Sequence, residues 1–153
     1  MLFRSGNSAT NGSTLTYVGW QWQAGQGTTS SNTSGSITST VSVNTTAGFS
    51  IVTYTGTGAN ATVGHGLGVA PKMIIAKGRG NVDNWGVYHA SANASPATGF
   101  LYLNGTQAFT VTSTQWNNTA PTSTVFSIGT DTRINQSTIG FVAYCWEIGR
   151  AHV

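Results

Sequence analysis

The chain has 153 residues, enough for one domain or one domain and part of another. Only 6% of residues are charged, against 10% aromatic and 39% hydrophobic, with a formal charge of +3. This balance argues against a disordered polyelectrolyte; no Lys/Arg cluster suits nucleic acid, no apolar run reaches the roughly 18 residues of a membrane span, and a lone Cys145 rules out an internal disulfide.

Taken in chain order, Met1 to Ser5, back-translated, resemble the reverse complement of a common sequencing adapter. Residues 1–5 are therefore expected to be foreign to the domain. Residues 6–24 are expected to hold the closing strand of a preceding repeat, Tyr17 to Trp22. Residues 25–47 are rich in Ser, Thr and Gly and read as a linker or a solvated edge ribbon. Within them, Thr38 to Val43 alternates weakly and suits a sheet edge.

Residues 48–146 read as one module. Phe49 to Tyr54 alternates as a strand, and Gly56-Thr57-Gly58 follows as a turn. Lys72 to Lys77 is a short apolar run between charges, opened by Pro71. Strands are also predicted at Trp85 to His89, Gly99 to Leu103, Phe109 to Thr112, Thr124 to Ile128 and Ile139 to Trp146. Asn104-Gly105 marks a turn, and a single turn is expected near Trp116-Asn117-Asn118. No window supports an amphipathic helix. β-branched and aromatic strands with Gly/Asn punctuation predict an all-β, antiparallel β-sandwich, jelly-roll-like. Residues 147–153, Glu147 to Val153, resemble adapter read-through. Discounting both ends leaves Lys72, Lys77, Arg79, Arg133, Asp83 and Asp131 charged, with His65 and His89.

The chain also matches itself. Tyr17-Val18-Gly19-Trp20-Gln21-Trp22 parallels Phe141-Val142-Ala143-Tyr144-Cys145-Trp146, and Asn11 and Asn135 precede the two copies at the same offset. A tandem array of such modules is the simplest expectation. Alternation puts Val142, Tyr144 and Trp146 on one strand face, expected to be the core face, with Cys145 and Gln21 opposite.

The stretch His65 to Ile75 resembles a repeat of large marine-phage and prophage tail or virion proteins. So do Trp85-Gly86-Val87-Tyr88-His89, Leu101 to Asn104, Trp116 to Thr122 and Tyr144-Cys145-Trp146, in the same order. The resemblance implies a virion context in a tail-fibre-like protein and a glycan-contacting role. It implies no catalytic residue.

Candidate chemistry is sparse. Asp83 and Asp131 are the carboxylates available for glycoside hydrolysis, but both sit in turn-like segments that favour Asx side chains. A Cys145–His pair is weakened by Gln21 at the equivalent position. His65, in the glycine-flanked Gly64-His65-Gly66-Leu67-Gly68 segment, reads as a turn-ordering residue. Lys72, Lys77 and Arg79 read as charges guarding a strand edge, or else as contacts for an acidic glycan. Trp85, Tyr88, His89, Trp116, Asn117 and Asn118 combine flat apolar faces with amides, as sugar sites do. The competing reading, placed first, has Trp85 and Trp116 filling the core.

The expectation is a non-catalytic structural or receptor-contacting module of a phage tail fibre or virion protein, without cofactor or metal. The alternative is a glycan-binding accessory module of a secreted enzyme or depolymerase. Expected partners are a host cell-surface glycan, neighbouring virion repeats or further copies of the chain, with neither nucleic acid nor membrane. The expected location is the virion, otherwise extracellular.

Overall fold

The computed structural model describes residues 12–148; the adapter-like segment 1–5, Asn11 and the last five residues of the adapter-like segment 147–153 lie outside them. Ten strands form among the described residues: β1 (Ser30–Asn32), β2 (Ser39–Asn44), β3 (Phe49–Thr55), β4 (Ala61–Gly64), β5 (Met73–Gly78), β6 (Gly86–His89), β7 (Gly99–Tyr102), β8 (Thr110–Val111), β9 (Val125–Ile128) and β10 (Gly140–Trp146). A single helical turn, α1 (Thr132–Asn135), precedes β10. Eight strands make one sheet in the order β1-β2-β3-β10-β5-β6-β7-β8, and β4 pairs with β9 in a second. The expected all-β antiparallel sandwich is what forms, with unequal layers. The thin layer is completed by Leu67, Trp116 and Ile134, which join the same core.

β10 is the centre of the large sheet. It pairs along its whole length with β3 and along most of it with β5. Its burial alternates, and it buries Phe141, Ala143 and Cys145 while Val142, Tyr144 and Trp146 point outward. This inverts the expected core face. The inner side already carries Tyr54, Tyr88, Trp116 and Phe126. Tyr54 stacks on Phe141 at 5.4 Å and meets Phe126 edge-on at 6.1 Å. Sheets pack about 10 Å apart, so with large rings entering from neighbouring strands and from the thin layer, β10 contributes one ring, Phe141, and fills the rest of its inner face with the small Ala143 and Cys145. Side-chain size at one strand therefore predicts the wrong face.

Residues 25–47 are integrated with the sheet and take the ribbon form of the two expected. β2 pairs with β3 from Thr40↔Thr53 to Asn44↔Phe49, and β1 pairs with β2 at the sheet's edge. Thr40, Ser42 and Asn44 share the outer face. Ser39 and Val41 are buried, and the Ser39 hydroxyl donates to the Gly64 carbonyl at 2.7 Å. Two valines in this strand give too faint an apolar signal to read strongly.

The expected strand at Tyr17 to Trp22 does not form. This segment has no regular structure, and Val18, Trp20 and Trp22 are exposed. Its look-alike, β10, is a strand because β3 and β5 satisfy its backbone on both sides. Residues 17–22 join no β ladder among the described residues, and a pleated backbone outside a sheet is not stable.

Two buried polar clips hold the thin layer. Asn135 donates from Nδ2 to the carbonyls of Ala59 (2.7 Å) and Gly129 (2.6 Å), and its Oδ1 accepts from Thr57 N–H (2.8 Å). Asp131 caps α1 by accepting from Arg133 N–H at 2.9 Å, and also pairs with the Arg133 guanidinium at 2.6 Å.

Candidate functional site

The outer face of the large sheet is the feature that packing within the chain leaves unexplained. Residues paired across strands share a face. Phe49, Trp146 and Met73 form one row with His89 at its end. Ile51, Tyr144, Ile75, Val87 and Leu101 form the next. A third runs Thr53, Val142, Lys77, and Trp85 continues outward beside it, since it lies two residues before Val87. An antiparallel sheet covered on one side normally alternates apolar inward with polar outward. Here β3, β10, β5, β6 and β7 are apolar on both sides.

Residues Trp20 and Trp22 lie over part of this face. Trp22 meets Trp146 edge-on at 5.4 Å and Phe49 at 6.3 Å, and Phe49 lies 5.1 Å from Trp146. Between this cover and Leu103, Met73, Ile75 and Ile148 runs an apolar groove of about 500 Å³. A second cleft of about 360 Å³ lies between Trp22, Phe49, Ile51, Trp85 and Tyr144. Trp20 remains 78% exposed and Leu103 57% exposed, so the cover is partial.

The expected aromatic–amide set is split by the sheet. Tyr88 and Trp116 are on the inner side, 4% and 1% exposed, in edge-to-face contact at 6.0 Å. Neither offers a ring face to a sugar. Asn117 and Asn118 both have positive φ, 51° and 49°, a left-handed geometry that Asn tolerates better than most residues. They make the turn that tips Trp116 into the core. Trp85 and His89 are on the outer side and half-buried. His89 Nδ1 accepts from Ser91 N–H at 3.2 Å. Beside Trp85 stands an amide pair absent from the expected set. Asn104 Nδ2 donates to Asn84 Oδ1 at 3.0 Å, and Asn104 Oδ1 accepts from Trp85 N–H at 3.0 Å.

His65, Cys145 and Asp83 are each buried or held by hydrogen bonds to their neighbours. His65 is buried; Nδ1 accepts from Leu67 N–H at 3.2 Å, and Nε2 lies 3.2 Å from the Thr122 carbonyl. These bonds specify one neutral tautomer, with the proton on Nε2. Burial lowers the His65 pKa below its ordinary value, only partly offset by the Thr122 carbonyl. Gly66 and Gly68 follow it at positive φ, 75° and 77°, so the ring braces a left-handed turn. Cys145 is buried and its thiol is pushed up to about 12 by loss of solvent, so it stays protonated at neutral pH. Asp83 accepts from Asn81 Nδ2 at 3.1 Å.

Lys77 departs from the expectation of an edge guard. β5 lies between β10 and β6, inside the sheet. The Lys77 ammonium instead donates to the carbonyls of Gly78 and Asn81, each at 2.8 Å, and pins the turn after its strand. Among the described residues no three His, Cys, Asp or Glu side chains converge as metal ligands.

Residues 2–149 match a family described as a domain of unknown function (DUF7483). The chain belongs to this family. The match runs through positions 24 and 47, where boundaries were expected, and so takes in the Trp20–Trp22 segment together with β10. No curated protein and no solved structure matches at a significant level.

Proposed function

We propose that this DUF7483 chain is a non-catalytic structural or receptor-contacting module, of the kind that builds phage tail fibres and related virion proteins. The observation that carries the reading is the second apolar face of the large sheet. An apolar sheet face only partly covered, with Trp20, Trp22 and Leu103 exposed upon it, marks a contact site for another macromolecule. The side chains capable of catalysis support the same reading, since His65, Asp131 and Cys145 are each tied to turn, cap or core.

The test uses the whole chain with bacterial surface polysaccharides. Binding without release of reducing ends is the expected result for a receptor contact. Hydrolysis that vanishes in Asp83→Asn or Asp131→Asn refutes the reading. Virion context is checked on the flanking reading frames, where capsid, baseplate or terminase genes are expected.

One observation favours the glycan-binding accessory reading. Trp85 lines the outer cleft next to the Asn84–Asn104 amide pair, a flat apolar ring with hydrogen-bonding groups beside it. On that reading Trp85→Ala abolishes glycan binding while Trp116→Ala acts only through stability.

A further inference from the structure

We propose that the outer face of the large sheet is a self-recognition surface whose partner is the same face of a second copy of the chain. This rests on the structural-module reading above and names its partner. Three observations carry it.

The first is what already sits on the face. Residues 17–22 repeat the pattern of β10, and in that correspondence Trp20 matches Tyr144 and Trp22 matches Trp146. Trp22 packs on Trp146 itself, edge-on at 5.4 Å. The face therefore accepts, within one chain, a copy of its own outward aromatic motif. A two-fold axis through the face places like residues together in the same way, because an isologous interface uses one patch on both partners.

The second is charge. The outward residues from β2 to β7 include one formal charge, Lys77, and its ammonium is already held by the carbonyls of Gly78 and Asn81. No carboxylate stands on these strands. Pairing the face with itself brings together apolar groups and almost no like charge. A polyanionic or acidic partner finds little there to bind.

The third is size. Five apolar strands, β3, β10, β5, β6 and β7, lie side by side. At about 4.8 Å spacing and about 20 Å length, they span roughly 500 Å² in projection. Phe49, Ile75 and Val87 are already buried within it and Trp22 covers part of it, so with the exposed Trp20, Trp22 and Leu103 the free area is that of a small, concentration-dependent interface, below the roughly 800 Å² per partner of a standard one. The apolar groove beside Trp20, bounded by Leu103 and Ile148, gives an inserted ring or aliphatic chain a place to go.

Sedimentation equilibrium on the full chain, from about 1 to about 100 µM, tests this over the range where such an interface is populated. A concentration-dependent dimer is expected. Trp20→Asp and Leu103→Lys change exposed positions on the face, so the fold survives, and each should weaken the dimer at least tenfold. Val82→Asp, in the loop between β5 and β6, is an exposed control outside the strands of the face; it should leave the dimer intact. Circular dichroism melts at low concentration check that all three variants fold. A monomer throughout overturns the inference. So does a dimer that ignores Trp20→Asp and Leu103→Lys, or one broken equally by Val82→Asp. The polysaccharide assay is run on the same samples. Hydrolysis there defeats the structural-module reading whatever the dimer does, so the two failures are separable.

Discussion

Replacing Trp116 with alanine distinguishes a core tryptophan from a sugar platform. Trp116 is 1% exposed and sits between Tyr88 and Phe126, with ring centroids 6.0 Å and 6.5 Å away. Burying such a ring removes about 200 Å² from water, worth roughly 5 kcal/mol at about 25 cal/mol per Å², less the part an alanine retains. The two edge-to-face contacts add roughly 1 kcal/mol. Large-to-small substitutions of buried aromatics cost about 3–5 kcal/mol, so about 4 kcal/mol is the expected loss. A domain of this size is stable by about 5–15 kcal/mol and loses about 2–4 °C per kcal/mol. Trp116→Ala should thus remain folded in the cold and melt roughly 8–16 °C lower. Trp85→Ala, half-buried on the outer face, should cost about 1 kcal/mol. Thermal melts followed by far-UV circular dichroism and by calorimetry measure both. A Trp116→Ala variant that melts within about 2 °C of the parent refutes the core assignment, as does an equal loss in both variants.

Three further outcomes follow from the buried polar groups. Cys145 should resist iodoacetamide and disulfide reagents in the native state and react fully in denaturant, because its thiol is pushed up to about 12 and faces the core; stoichiometric labelling of native chain contradicts this. Because burial lowers the His65 pKa, the unfolded chain takes up a proton near pH 6.5 where the folded one does not. Stability should then be full above that pH and decline as pH falls towards the folded value. Urea midpoints should be lower at about pH 5 than at about pH 7.5, and His65→Gln should shrink that difference; an unchanged difference sinks the idea. Asn135→Ala strips hydrogen bonds from Thr57 N–H and from the Ala59 and Gly129 carbonyls, all drawn to one buried side chain. At about 1–3 kcal/mol for each buried group left unpaired, a loss of roughly 3 kcal/mol is expected. Faster hydrogen exchange at Thr57 should accompany it, and a protected Thr57 amide argues against the clip.

Much of the architecture was legible in the residues themselves. Period-two runs at Phe49 to Tyr54, Lys72 to Lys77 and Ile139 to Trp146 became β3, β5 and β10, each within a residue or so. Asp131 proved to be a backbone-capping Asx residue and His65 a turn brace, as their Gly-rich settings imply. β4 escaped notice because Ala61-Thr62-Val63-Gly64 holds one large apolar group; it exists because β9 supplies its hydrogen bonds and its valine fills the core. The candidate binding set is divided between the two faces for a related reason. Residue type favours Trp, Tyr and Asn at a sugar site, but Tyr88 and Trp116 point inward while Trp85 and His89 point outward.

Alternation along a strand is a property of the local chain, so the sequence by itself determined that Val142, Tyr144 and Trp146 share a face and that Cys145 lies opposite. Which face meets the core depends on volume contributed by other strands, and only the tertiary structure decided that Phe141, Ala143 and Cys145 join the core with Phe126 and Trp116. The same holds for the two hexapeptides of like pattern, Tyr17 to Trp22 and Phe141 to Trp146. One is the central strand because β3 and β5 flank it; the other, outside the β ladders, lays its tryptophans over the aromatic face of the first.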